Sequence, residues 1–383
     1  MPNPVRVLVC ILAVLALPLT AASARDDRFA RFAAHDPQSA LHVSYDAWTI
    51  LLEDIVYDVG FSNREPADPA GTRVTGTRIR LGSNSRYRYE GNRLLLHLID
   101  DERAAAISQY REELARLPEQ VSLARLNRNE QLAYWLNLHN VVVVDELIRN
   151  YPVTRLNRAG NAFHNDPVVT VDGVELSLND IRFEIVQANW SDPRIIYGFF
   201  SGAVGGPTLQ DSAFDGRRVW TQLDRSAREY VNALRGVEND TATLKVSQLY
   251  FEHRALFEPW PSALRNHLYA FANGDVYAVL DGAGGDPEAL TYDWYVADLT
   301  NGSRCGGAGR GSLVISTSGE GNVQFNGGCE AVPPQARELL RAVTLRRLEM
   351  LREGRIGQVF VRDIETPSDG GEPETQGGED GSR

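Results

Sequence analysis

Along most of this chain apolar side chains recur every three to four residues, the spacing of an amphipathic helix; in a few short stretches they alternate, as in a strand. Trp48, Leu51, Leu52, Ile55 and Val56 mark a helix over 41–59. Residues 94–117 carry a second, with acidic side chains early, where the helix dipole favours them. From 129 to 150 apolar residues occupy nearly every face, among them Leu132, Trp135, Leu136, Val141, Val144 and Leu147, which predicts a central buried helix. A hairpin comes next over 167–176, where two apolar runs flank Asp172-Gly173, a dipeptide suited to a tight primed turn. Ser177 is placed to cap a helix running through 187. Further helices are expected over 220–234, 247–257, 261–272 and 334–352, and strands over 276–280 and 313–317.

Between these elements the pattern breaks. Residues 60–92 are rich in Gly, Pro, Asn, Ser and Arg, with a short alternating piece at 77–81, and read as an inserted hairpin. Residues 192–209 run from Asp192-Pro193-Arg194 through an apolar stretch, read as a buried strand, into a glycine-rich turn, and 302–328 are again glycine-rich. Many helices with few, separate strands give a helix-rich α+β domain with small sheets over 41–300, preceded by a charged, mobile segment at 25–40. The domain is succeeded by a C-terminal appendage over 301–362 and an acidic tail over 363–383; beyond Thr366 the tail lacks apolar residues and is expected to be disordered.

The first 24 residues alter the picture of the compartment. One cation, Arg6, precedes an apolar run over 7–17, then Pro18 and Ala22-Ser23-Ala24. This order reads as a cleavable export signal, and the run is too short to cross a bilayer comfortably, although an uncleaved anchor is the alternative. The mature chain is then periplasmic or secreted, with no transmembrane segment. Its two remaining cysteines, Cys305 and Cys329, predict a disulfide closing the appendage, worth about 3 kcal/mol in the chain-entropy view. Two separate buried thiols are the other possibility.

Charge narrows the partners. The formal net charge is −12, and loss of Arg6 takes it to −13. Residues 363–383 hold seven acids and one base, or −6, which leaves −7 on the rest of the mature chain. A net-acidic body argues against nucleic acid as a partner. A small molecule, a polymer or another protein remains. Lys245 is the sole lysine, a usage that points to compositional bias rather than to many phosphate sites. Arg64, Arg73, Arg78, Arg80, Arg86, Arg88 and Arg93 cluster in and beside the insertion, either as a solvated strand face or as a patch docking on an acidic surface polymer. The seven histidines show no metal-ligand spacing, so neither metal nor cofactor is expected.

Five segments fall into a familiar order. They are the Asn-x-x-Asn stretch Asn137 to Asn140; Ser177-Leu178-Asn179-Asp180-Ile181; Asp192-Pro193-Arg194-Ile195, closing with Pro207-Thr208-Leu209 and Ala213-Phe214; Val246-Ser247-Gln248-Leu249-Tyr250-Phe251; and Tyr292-Asp293-Trp294. Together they resemble the domain-of-unknown-function family 547 over roughly 41–300. The resemblance implies a His-Gly pair where this chain has Phe183-Glu184, a histidine where it has Ile196, and cysteines where it has Ser201 and Gly206. A histidine-activated thiolate needs both side chains, so thiol chemistry at these positions is not available to this protein.

Two readings of the chemistry stay open. In one, the chain is an exported binding or scaffold protein. Asn137 and Asn140 then orient a ligand or satisfy buried loop backbone; Arg194 grips an anion or pairs with Asp192; Asp293 lies in an aromatic binding platform or a packed edge. Gly202, Gly205 and Gly206 either expose amides to an anion or permit close packing, the reading we prefer. In the other, the chain is a hydrolase or transferase in which Ser201, or Asp192 with His139, is catalytic. Ser201 is the nucleophile type left in the motif, but it does not sit in a Gly-x-Ser-x-Gly elbow.

Overall fold

Asn127 sets the position of the central element. Its side chain accepts from the backbone N–H groups of Asn129 and Glu130, capping a 22-residue helix over Arg128–Arg149 (α3). The computed structural model describes residues 27–67, 85–159, 162–240, 243–300, 312–315, 323–326 and 334–352. The expected signal at 1–24, Arg73, Arg78 and Arg80, Cys305 and Cys329, and the acidic tail all lie outside the described residues. The chain divides into two units, 1–343 and 344–383, and the described part of the second, 344–352, is helical. Among the described residues no helix is long and apolar enough to cross a membrane.

The fold is helix-rich α+β with small sheets. Helix α3 is buried from Glu130 to Asp145, as its apolar sequence requires, within the main hydrophobic core. Helix α1 (Asp46–Ile55) gives way at Val56–Tyr57 (β1), which pairs antiparallel with Arg93–Leu94 (β2). The helix expected to begin at 94 therefore starts later, as α2 (Asp101–Gln120). The Asp100 carboxylate accepts from Arg103 N and fixes that start. Helix α2 lies on α3, where Arg111 and Arg149 together neutralise the buried Asp145.

Residues 27–33, read as mobile, instead form a 3-10 helix that buries Phe29 and Phe32; the Phe32 ring meets Trp135 of α3 edge-on at 5.0 Å. After a one-turn helix, α4 (Ala162–Asn165), the hairpin of Val169–Val171 (β3) and Val174–Leu176 (β4) turns through Asp172 and Gly173. Their φ angles of 49° and 74° match a primed turn. Ser177 and Asp180 then cap one another: Asp180 N donates to Ser177 Oγ at 3.0 Å and Ser177 N to Asp180 Oδ2 at 2.9 Å. The helix that this pair opens, Asp180–Gln187, is a π-helix.

Two expectations are corrected here. Asp192 does not precede a buried strand; it caps a 3-10 helix, Pro193–Gly198, whose leading proline presets the backbone. Residues 276–280 are not a strand either, but part of a helix that comes after α5 (Val219–Val231), α6 (Gln248–Glu252) and α7 (Ser262–Phe271) and is numbered α8 (Gly274–Gly282). Asn273 caps α8 by accepting from Val276 N at 3.0 Å, and Val276 and Leu280, one turn apart, both face inward. Strands that the sequence pattern did not predict lie nearby. Val237–Asp240 (β5) and Thr243–Val246 (β6) form an antiparallel pair, joined in parallel by Gly284–Ala289 (β7). Ser312–Ile315 (β8) pairs with Val323–Asn326 (β9), and α9 spans Pro334–Arg352.

Two features position the site. An extended seam, residues 293–299, bonds to three separate segments. Gly205 N donates to Asp293 O, Val204 N to Tyr295 O, Leu156 N to Trp294 O and Leu94 N to Ala297 O. Residues 85–94 are pinned behind it. The buried Glu90 accepts from Leu234 N and Arg235 N, while Arg235 pairs with Glu229 at 2.6 Å. Ala67 N donates to Arg86 O at 2.9 Å, so the chain on either side of 68–85 meets at a narrow neck.

Candidate functional site

A cavity of about 330 Å³ opens where five segments converge. Helix α4 supplies His164 and Asn165, and the capped π-helix with its preceding residue supplies Asn179, Arg182 and Phe183. The glycine-rich turn contributes Phe199, Ser201 and Pro207; α6 contributes Leu249 and Glu252; Tyr292 and Trp294 lead into the seam. Tyr292 and Trp294 face the cavity while Asp293 between them does not line it, as alternation in an extended chain requires.

Close packing of glycine shapes the turn that carries Ser201. A Cβ on Gly206 would sit 2.2 Å from Ser201 Oγ, and one on Gly205 would sit 2.7 Å from Asp293 N. Their amides are used internally, Gly205 N by Asp293 O and Gly206 N by Ala203 O, so this turn offers no amide nest to an anion. Ser201 Oγ accepts from Ala203 N at 3.3 Å and lies 2.8 Å from Tyr292 Oη. Burial pushes the Tyr292 phenol up to about 12, with the Ser201 bond pulling the other way, so it is protonated at neutral pH and is no base for the serine.

Arg182 dominates the electrostatics. The residue is 8 % exposed, and its guanidinium donates to Asn179 Oδ1 at 3.2 Å, His253 Nε2 at 3.2 Å and Glu252 Oε2 at 3.5 Å. Its Nε has no hydrogen-bond partner among the described residues. Because Arg182 can only donate, His253 accepts through Nε2 and donates from Nδ1 to Gln187. Burial, then the Arg182 charge, hold three imidazoles neutral: His164 is pushed down to about 4, and His139 and His253 lie well below their ordinary value. His164 donates from Nε2 to the Ser201 carbonyl at 3.1 Å, which leaves Nδ1 as an acceptor.

Of the residues named in the sequence as candidate catalytic or ligand-binding groups, only Ser201 lines the cavity. Asn137 gives both amide atoms to Phe214, with Nδ2 donating to its O at 2.7 Å and Oδ1 accepting from its N at 2.9 Å. Asn140 does the same for Gly198 O and Phe200 N, both at 3.0 Å. His139 is fully buried, bonded to Asn140 Oδ1 and edge-on to Phe199. Asp192 is engaged by Arg194, which also reaches Asp224 at 2.9 Å and covers the Trp220 ring, so the structure does not bring Asp192 and His139 together. Asp293 Oδ1 accepts from Tyr295 N at 3.0 Å. Of the seven clustered arginines, four are described, and each is held by the body: Arg64 by Val237 O, Arg86 by Glu238, Arg88 by Glu338, and Arg93 by the carbonyls of residues 88 and 90–92. Among the described residues no three His, Cys, Asp or Glu side chains come together as a metal-ligand set.

Sequence reasoning missed His164, Arg182 and Glu252. For Arg182 there was a signal, a lone cation between Ile181 and Phe183 in an apolar helix; for the other two there was none. The positions where the family resemblance implied other residues do converge. Phe183 and Ser201 line the cavity and Gly206 abuts Ser201, whereas Ile196 is buried in the 3-10 helix.

No curated protein and no solved structure matches the chain. A family model does match, that of the protein of unknown function DUF547, over residues 123–231. The match takes in α3, the π-helix, the glycine-rich turn and α5, while the cavity's Glu252, Tyr292 and Trp294 lie beyond it. From 123 to 231, then, the chain is similar to the DUF547 family, a match that covers less than a third of its length.

Proposed function

We propose that this protein binds a small molecule in the cavity between Arg182, Glu252 and Trp294 and does not use Ser201 as a nucleophile. The observation that carries the reading is the partner of the Ser201 hydroxyl: a protonated tyrosine, with no imidazole or carboxylate among the described residues bonded to that hydroxyl. A serine becomes a nucleophile when an adjacent base accepts its proton, and His164 meets Ser201 through the main-chain carbonyl instead. Charged, amide and aromatic side chains in one small concavity are what a binding site offers.

The test has two arms on the full chain. Thermal melting against a panel of amino acids, organic acids, amines and sugars should give a stabilising ligand, because binding to the native state alone raises the melting temperature. A fluorophosphonate probe should leave Ser201 unlabelled by mass spectrometry. An adduct at Ser201 that vanishes on prior unfolding would replace the binding reading with a hydrolase, in which His164 Nδ1 is the base. We further propose that the protein is exported, on the strength of the apolar run over 7–17 and Ala22-Ser23-Ala24. Sequencing the N-terminus of the mature protein should find it near Arg25; an intact Met1 would sink the cleavage.

A further inference from the structure

Two opposite charges share the cavity, and they are poorly matched to each other. Arg182 and Glu252 meet through one contact of 3.5 Å, at the outer limit of a hydrogen bond, and Glu252 is 32 % exposed at its side chain. The other bonds of Arg182 go to the neutral acceptors Asn179 and His253. His164, the remaining titratable imidazole on the wall, is neutral at pH 7. The lining therefore presents one guanidinium and one carboxylate side by side, with the rings of Phe199, Tyr292 and Trp294 on the walls.

We infer that the cavity binds a zwitterion of amino-acid type, its carboxylate on Arg182 and its ammonium on Glu252. This rests on the binding reading above and gives the site its ligand class. An anion alone would draw Arg182 from Glu252 and strand the carboxylate; a cation alone would strand the guanidinium. Stranding a desolvated charge is the costly outcome. A ligand with one charge of each sign, set close together, replaces the single long contact with two charge-assisted hydrogen bonds and strands neither partner. The volume of about 330 Å³ lies at the small end for ligand sites and suits one amino acid with an aromatic or branched side chain.

Three compounds that share a phenylethyl group separate the charges: phenylalanine, 3-phenylpropanoate and 2-phenylethylamine, titrated calorimetrically into the full chain at pH 7. Phenylalanine should bind at least about tenfold tighter than either of the others. Glu252→Gln should weaken phenylalanine by about tenfold without weakening phenylpropanoate, and Glu252→Asp should restore part of the loss. Melting curves check that both variants are folded. The inference is overturned if phenylpropanoate binds as tightly as phenylalanine, or if Glu252→Gln leaves phenylalanine binding unchanged. It is also overturned if neither phenylalanine nor any other amino acid of the panel binds while another compound of the panel does, and in that case the binding reading survives. If nothing in the panel binds, both fall.

Discussion

Asn140 shows how a single polar side chain can shape a site it does not enter. Its amide holds Gly198 O and Phe200 N at once, and so fixes the turn that delivers Phe199 and Ser201 to the cavity. Asn140→Ala would leave both backbone groups buried and unsatisfied, at about 1–3 kcal/mol each. We expect a loss of about 3 kcal/mol in stability, read as a lower urea midpoint with little change in slope. If the midpoint does not move, water or a shifted turn satisfies these groups and the account of Asn140 fails. Asn137 stands in the same relation to Phe214 one helical turn earlier, so the Asn-x-x-Asn spacing is that of two clamps on one helix face.

At the scale of elements, what could be read in advance is what local chemistry decides. The long apolar run of α3, the Asp172-Gly173 turn and the Ser177 cap each carry their instruction within a few residues, and the structure obeys them. Where one local signal competed with another, reading failed. Val276 and Leu280 sit in a β-prone run, but the Asn273 cap and their four-residue spacing make it a helix. The seam at 293–299 was out of reach for a different reason. Its partners are residues 94, 154, 156 and 202–205, and nothing in Tyr292-Asp293-Trp294 says which of them it will meet. The same holds for the cavity. Ser201 was visible as chemistry, but Glu252 and His164 become functional candidates only once α6, α4 and the π-helix are side by side.

Across the whole molecule, buried neutral histidines tie stability to pH. His164 titrates near 4 in the folded protein against about 6.5 unfolded, so the unfolded chain binds the proton first as pH falls. Stability is therefore intact above pH about 6.5 and declines toward pH 4, by about 1.4 kcal/mol per pH unit for such a histidine. His267, also pushed down to about 4 by burial, adds to the same slope. Urea midpoints should fall steadily between pH 6.5 and 4; midpoints flat across that window would show that these imidazoles are not held neutral.

The neck at Ala67 and Arg86 holds the two ends of the intervening stretch one hydrogen bond apart, and residues 85–94 are anchored on their own by Glu90, Arg93 and Arg235. Closing a longer or shorter loop at such a point changes the entropic cost only logarithmically. A change in the length of this stretch thus leaves the closure at Ala67 and Arg86 nearly as easy to form as before.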